Sequence, residues 1–251
     1  MKIDFSHISI DAVSKQYIPN LSFSLEDFNL RINANSKFGI LGPNGAGKTT
    51  LISILTGLLE PSSGKVDYVL KNGNLLEGIK LKQSIGFVPQ DFAFYPELTP
   101  VQNLHYFGAL SGLNKAQIKT RTEFTLEALG LTAVAKKKAH TFSGGMKRRL
   151  NLAIGIIHEP AILFLDEPTV GVDVQSKFAI LQLLDKINSE GTTIIYTSHH
   201  LTEAQDFCSD IAMIDKGKLI CTNETLRLLE EYQATHLEDL FIKLTGQALR
   251  D

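Results

Sequence analysis

The run Gly42-Pro43-Asn44-Gly45-Ala46-Gly47-Lys48-Thr49 constrains this chain more than any other stretch. It fits G-x-x-x-x-G-K-[ST], a pattern whose composition is set by phosphate chemistry. Glycines let backbone N–H groups turn inward around phosphate oxygens, where a Cβ would obstruct them. The helix that follows presents its N-terminus to the same anion. Lys48 is then placed to reach the β- and γ-phosphates, and Thr49 to hold Mg²⁺ through its hydroxyl. The flanking residues suit that role. Lys37 to Leu41 reads as a buried strand, and Thr49 to Leu59 as a helix with Leu51, Ile52, Leu55, Leu58 and Leu59 inward, stopped by Pro61-Ser62-Ser63-Gly64. With a strand before and a helix after, a glycine turn that binds nothing is the weaker reading. The loop specifies a nucleotide phosphate without saying which NTPase.

A second signal lies downstream. Ala161-Ile162-Leu163-Phe164-Leu165 is continuously apolar, as a strand buried on both faces must be. Asp166-Glu167 follows at its carboxyl end, where α/β sheets place ligands. Asp166 suits Mg²⁺ there, and Glu167 can polarise an attacking water; an acidic turn closing a strand is the alternative. Gln90 comes after the candidate strand Ile85 to Val88, and His199 after Thr193 to Thr197. Both are therefore expected at the crevice that takes Lys48 and Asp166. Taken singly, Gln90 reads as a surface residue and Ser198-His199-His200 as a cap for the next helix. Ser143-Gly144-Gly145, ahead of Met146-Lys147-Arg148-Arg149, opens a predicted helix with Leu150, Leu152, Ala153, Ile156 and Ile157 inward. Such a helix start is an anion site by its N–H groups and dipole, with an ordinary N-cap as an equal alternative.

Around these motifs, short apolar segments alternate with helical stretches, the rhythm of an α/β protein. Ile3, Phe5, Ile8 and Ile10, then Leu21, Phe23 and Leu25, then Phe28, Leu30 and Ile32, alternate with slips and predict an antiparallel patch of two or three strands. From Thr99 to about Ile157 no strand pattern occurs, while Leu104, Phe107, Leu110, Phe124, Leu126 and Leu129 recur at helical spacing, as an inserted helical lobe would. A helix from Leu237 to Leu244 follows near the end. The 251 residues suit one large domain with an inserted lobe and a core that needs no staple. With 25 basic and 27 acidic residues, the net charge of −2 argues against a nucleic-acid binder. Lys136-Lys137-Lys138 and Lys147-Arg148-Arg149 accordingly read as solvated faces. Apolar runs fall far below the roughly 18 residues of a spanning helix, and Lys2 and Asp4 break any signal-peptide pattern. A soluble cytosolic chain is expected, with Cys208 and Cys221 buried and reduced, since their spacing fits no metal or redox motif.

The order of these motifs resembles the nucleotide-binding subunit of an ATP-binding cassette (ABC) transporter, across essentially the whole chain. The Walker A loop is Gly42 to Thr49, the Q-loop is Gln90, and the signature is Phe142-Ser143-Gly144-Gly145-Met146. Walker B ends Leu165-Asp166-Glu167-Pro168-Thr169, the D-loop is Gly171-Val172-Asp173, and the switch histidine is His199. Phe142 and Met146 stand where Leu and Gln are commonest, and Ser36-Lys37 where Gly-Glu often precedes the Walker A strand. The wording Phe-Ser-Gly-Gly-Met-Lys-Arg-Arg-Leu and the ending Leu237-Glu238-Asp239-Leu240-Phe241 to Thr245-Gly246 are most similar to single-cassette exporters, whose ATPase and membrane subunit are separate polypeptides.

The resemblance implies one P-loop NTPase domain over 1–251. Its mostly parallel α/β core would span 1–90 and 158–222 and carry the antiparallel β patch, with the helical lobe at 91–157 and a helical tail at 223–251. It implies an ATPase with ATP and Mg²⁺ as ligands. Gly42, Pro43, Asn44, Gly45, Ala46, Gly47, Lys48, Thr49 and Thr50 would bind the nucleotide, together with Gln90 and with Ser143, Gly144 and Gly145. Thr49, Gln90 and Asp166 would serve the metal, and Glu167, His199 and Lys48 catalysis. Tyr17 looks like the aromatic that stacks on adenine, a surface or core tyrosine being the competing reading. The implied partners are a second, ATP-dependently dimerising copy and a separate membrane permease, with no nucleic acid. The implied location is the cytoplasmic face of the cell membrane. A ribosome- or DNA-directed ABC ATPase is disfavoured by the single cassette and the lack of sustained heptads. Intact Glu167 and His199 disfavour a regulator that binds without hydrolysing.

Overall fold

The structure, a computed structural model, describes residues 3–18 and 22–246. The chain packs into two compact units, one formed by residues up to Glu77 together with those from Thr193 on, the other by Gly78–Thr192.

The first unit opens with β1 (Phe5–Lys15) and β2 (Leu25–Asn33), followed by β3 (Lys37–Leu41), α1 (Lys48–Leu55) and β4 (Ser63–Leu70). β1 lies between β2 and β4 in an antiparallel three-stranded sheet. The slips in the alternation are bulges. Ala12 and Asp27 take left-handed backbone, and the pairing register shifts between Ile10 and Val13, so that Ile8, Ile10 and Val13 of β1 and Phe28, Leu30 and Ile32 of β2 are all buried. The stretch around Phe23 is not a strand: β2 begins only at Leu25, Phe23 is 41% exposed, and Leu21 lies outside the described residues. The third strand is β4, which follows the Pro61-Ser62 break and buries Tyr68 as its only core residue, too little for an apolar alternation to show. α1 is shorter than its sequence suggests. Thr56 donates its N–H back to Ile52, Gly57 turns left-handed, and Leu58 is 68% exposed rather than inward.

The second unit comprises α2 (Gly78–Ser84), β5 (Ile85–Val88), α3 (Pro100–Leu110), α4 (Lys115–Ala128), α5 (Gly144–Ile156), β6 (Ile162–Asp166) and α6 (Val174–Ser189), with short 3₁₀ turns at Thr132–Val134 and Ala139–Thr141. The 99–157 block is helical throughout its regular structure, as its periodicity predicts. Thr99 and Asn114 each close a capping box, with Gln102 and Gln117, and this fixes where α3 and α4 start. Leu110, at 72% exposed, is the member of the apolar series that points outward. β5 and β6 run parallel in register, with Val88 opposite Leu165.

The chain then returns to the first unit with β7 (Thr193–Ser198), α7 (Leu201–Phe207), β8 (Asp210–Asp215), β9 (Lys218–Glu224), α8 (Thr225–Glu231) and α9 (Leu237–Thr245). β3 is paired in parallel with β7 on one side and β8 on the other, and β9 closes that edge antiparallel to β8. Lys216 and Gly217 both take positive φ in the two-residue connection between β8 and β9, the backbone a tight hairpin needs. α9 buries Leu237, Leu240 and Phe241. Both cysteines are free. Cys208 is buried as expected, but Cys221 is only partly so; burial raises both thiols above their ordinary value, Cys221 to about 11.

Candidate functional site

In the first unit the site is set by the pairing of β3 with β7. Leu41 lies opposite Ser198, so the loop beginning at Gly42 and the turn carrying His199 leave neighbouring strands at the same level. The loop closes onto α1 through Gly47, whose φ of 108° only glycine adopts readily; a Cβ there would stand 2.6 Å from the Ser24 carbonyl. No side chain caps α1, and its first turn carries no acid. Its leading N–H groups thus retain their preference for an anion. Lys48 is 6% exposed and curls into the loop, its Nζ donating to the carbonyls of Gly42 at 2.8 Å and Pro43 at 3.1 Å. A buried ammonium enclosed by a glycine-built cradle fits a nucleotide's phosphates.

Thr49 is exposed at the start of α1, and the hydroxyl of Thr50 lies 3.3 Å from that of Tyr17. Tyr17 is a surface residue, 59% exposed, with the Lys15 ammonium 5.6 Å from its ring centroid. Tyr17 thus sits beside α1 in the first unit. The ring of His199 stands 4.1 Å from that of His200. His200 is the N-cap residue of α7 but makes no side-chain cap bond, and the Ser198 hydroxyl accepts its N–H at 2.9 Å. Beneath this turn the buried Tyr196 hydroxyl donates to Glu203, tying β7 to α7.

In the second unit the register of β5 with β6 brings Gln90 and the Asp166-Glu167 pair together. Asp166 is 2% exposed at the end of β6, and Glu167 is 6% exposed with a φ of 50°. Left-handed backbone at a residue other than Gly, Asn or Asp costs on the order of 1 kcal/mol or more and tends to mark functional positions. It turns the Glu167 side chain to meet Gln90, whose Nε2 donates to Oε2 at 3.3 Å.

Ser143 is the N-cap of α5, its hydroxyl accepting the Met146 N–H at 3.3 Å. The structure thus contains the ordinary N-cap that the sequence offered as one of two readings of this helix start. The two glycines that follow differ. A Cβ on Gly144 would have only the Gly171 carbonyl at 3.9 Å as neighbour, whereas one on Gly145 would stand 2.6 Å from both Asp173 Oδ2 and Ser176 Oγ. Asp173 caps α6 by accepting the Ser176 N–H at 2.9 Å, and these bonds hold its carboxyl below the usual range.

The basic triplets part company. Lys136, Lys137 and Lys138 are exposed as expected, but Arg148 is buried and its guanidinium donates to backbone carbonyls. Burial lowers its pKa despite the attraction of Asp91, Glu167 and Asp166; an arginine stays charged even so. Asn151, one turn on, is buried beside it. Sequence reading missed both. The signal was present, since Arg148 and Asn151 fall at helical spacing from Gly145 and Gly155 on the buried stripe. Among the described residues no cluster of three or more His, Cys, Asp or Glu residues could hold a metal, and no helix is long and apolar enough to cross a membrane.

With this geometry in view, comparison with known proteins is specific. Residues 25–170 match the family described as ABC transporter. The linearmycin resistance ATP-binding protein LnrL of Bacillus subtilis is 44% identical over 209 residues, covering 82% of this chain and 64% of that protein. The daunorubicin resistance ATP-binding protein DrrA3 of Streptomyces coeruleorubidus is 34% identical over 96% of this chain and 75% of its own length. Among solved structures, a dimeric ATP-binding cassette in a post-hydrolysis state with ADP and Pi aligns with a TM-score of 0.76 at 26% identity, over 87% of this chain and 98% of that one. A solved structure of the ATP-binding subunit of an ABC transporter superposes with a TM-score of 0.84 over 95% of this chain and 99% of that one; at 24% identity it speaks for the fold.

Proposed function

The chain belongs to the ABC transporter family of ATP-binding proteins, with the α/β P-loop fold of an ABC ATPase cassette, and on that premise we propose that it is the ATP-hydrolysing subunit of an exporter whose membrane-spanning part is a separate polypeptide. The observation that carries hydrolysis rather than binding alone is Glu167, a buried carboxylate on left-handed backbone within 3.3 Å of Gln90 Nε2. The names of the resistance proteins it resembles support export.

In this reading Lys48 and the N–H groups of Gly42 to Thr50 hold the β- and γ-phosphates, and Tyr17 stacks on the base. Thr49, Gln90 and Asp166 offer hydroxyl, amide and carboxylate oxygens, a hard donor set that fits Mg²⁺. These three residues would hold that ion, which would supply positive charge to offset the negative charge developing on the γ-phosphoryl group. Glu167 takes the proton of the attacking water, and His199 donates to the γ-phosphate. Two copies close around ATP, each lending Ser143, Gly144 and Gly145 to the phosphates held by the other. They dock on the cytoplasmic face of a membrane permease, and nucleic acid has no part.

Glu167→Gln tests this reading. The variant should bind ATP as the wild type does yet hydrolyse it about 10²-fold more slowly or worse, as expected when a general base is lost. It should also elute earlier from a sizing column with ATP than without. Hydrolysis at the wild-type rate would remove Glu167 from its role.

A further inference from the structure

Arg148 and Asn151 stand one turn apart on the buried face of α5, 6% and 2% exposed. Between them they fasten the backbone of the segment that carries Gln90. Arg148 Nη1 donates to the Gln90 carbonyl at 2.6 Å, with the Pro89 carbonyl at 3.5 Å. Asn151 Nδ2 donates to the carbonyls of Pro89 at 3.0 Å and Asp91 at 3.3 Å, while its Oδ1 accepts the Ala93 N–H at 3.0 Å. The second guanidinium nitrogen of Arg148 reaches the Val170 carbonyl at 3.5 Å, in the turn that follows Glu167. Phe92 covers the guanidinium with its ring centroid 5.2 Å away.

The chemistry of the pair is selective. Burying a cation is unfavourable even with the carboxylates of Asp91, Glu167 and Asp166 nearby, and here Arg148 Nε is also buried without a partner. A planar fork that spans two separate stretches of backbone is what arginine offers and a shorter amide does not. Gln90 itself is exposed, so its side chain meets Glu167 from a position set by the backbone around it. That backbone is held by α5, the helix whose first turn is Ser143-Gly144-Gly145.

We propose that Arg148 and Asn151 are positioning residues for hydrolysis, joining the Gln90 segment and the turn after Glu167 to α5, so that the glycine-rich end of the helix and the Gln90–Glu167 contact move as one piece. The proposal rests on the reading of Gln90 and Glu167 as parts of an ATPase site. A ligand drawn against Ser143 then reaches Gln90 through α5 directly.

The test uses the full chain with MgATP and the variants Arg148→Gln, Arg148→Lys, Asn151→Ala and Gln90→Ala, each with its melting temperature measured. Arg148→Gln is expected to lower kcat about tenfold while KM stays within about twofold. Because it acts through Gln90, combining it with Gln90→Ala should cost no more than about twofold beyond the worse single variant. Arg148→Lys keeps the charge without the fork and should restore only a minor part of kcat. Asn151→Ala carries the same pair of measurements should the Arg148 variants fail to fold. Losses that multiply in the double variant, full rescue by lysine, or a lowered melting temperature with kcat intact would each overturn the inference while leaving the ATPase reading in place. A wild-type chain that does not hydrolyse MgATP would overturn the reading and the inference with it.

Discussion

The Lys48 ammonium is held inside its own loop by the carbonyls of Gly42 and Pro43, the place the proposed site assigns to phosphate. In the proposed site Lys48→Ala should weaken ATP binding and abolish turnover, because the β/γ-phosphate charge would lose its main cation; near wild-type phosphate release would contradict that site. A different residue contributes to the acid side of the stability curve. His158 Nε2 donates to the Ile85 carbonyl at 3.0 Å, its Nδ1 is buried without a partner, and burial holds its pKa below 6.5. The unfolded chain, with an ordinary imidazole, takes up this proton first as pH falls below about 6.5, so the histidine's contribution favours unfolding there and not above it. Denaturant midpoints measured from pH 7.5 down to 5 should fall less steeply for His158→Gln than for the wild type. Arg148 shows where residue-level reading goes wrong. In the sequence it is the middle of a basic triplet; only the packing of α5 separates it from Lys136 to Lys138, which do face water.

α5 can be dissected further through its first two glycines. A Cβ on Gly145 would press on Asp173 Oδ2, which belongs to the carboxylate that caps α6. Gly145→Ala should therefore cost about 1–2 kcal/mol, the worth of an N-cap, and lower Tm by roughly 2–8 °C in a chain of this size. Gly144→Ala meets nothing closer than 3.9 Å and should leave Tm unchanged. It should still reduce ATP hydrolysis, because in the proposed site a methyl group there would obstruct phosphate at the helix start. Parallel melting curves and phosphate-release assays separate the two, and equal Tm losses would refute the distinction. Most element boundaries follow from local chemistry in the same way. Lys37–Leu41 and Ile85–Val88 are the strands their apolar runs predict, and Thr99 starts a helical block with a capping box. The misjudged elements are those whose local signals are weak. β4 contributes one core side chain, and α1 ends at a glycine turn that the apolar Leu58 and Leu59 conceal.

For the molecule as a whole the decisive measurement is complementation between two damaged chains. In the proposed homodimer Lys48→Ala would disable phosphate binding and Ser143→Arg would fill the helix start, so each homodimer would have two damaged sites. If each site is completed by the other copy, a mixed dimer gathers both lesions in one site and leaves the second intact. Random mixing makes roughly half the dimers mixed, so about a quarter of wild-type sites should return in both phosphate release and ATP-dependent dimerisation. Recovery in neither would exclude a site shared between copies. The sequence by itself determined the glycine-rich turn from strand to helix at Gly42–Lys48, the acidic end of β6 and the helical block, because each is written in neighbouring residues whose types and spacing serve one local purpose. Tertiary structure alone decided that β4 joins the antiparallel sheet, that Leu41 pairs with Ser198 and Val88 with Leu165, that Gln90 meets Glu167, and that Arg148 turns inward. Those are contacts between residues far apart in the chain, and their free energy comes from burial and hydrogen bonding that no local spacing records.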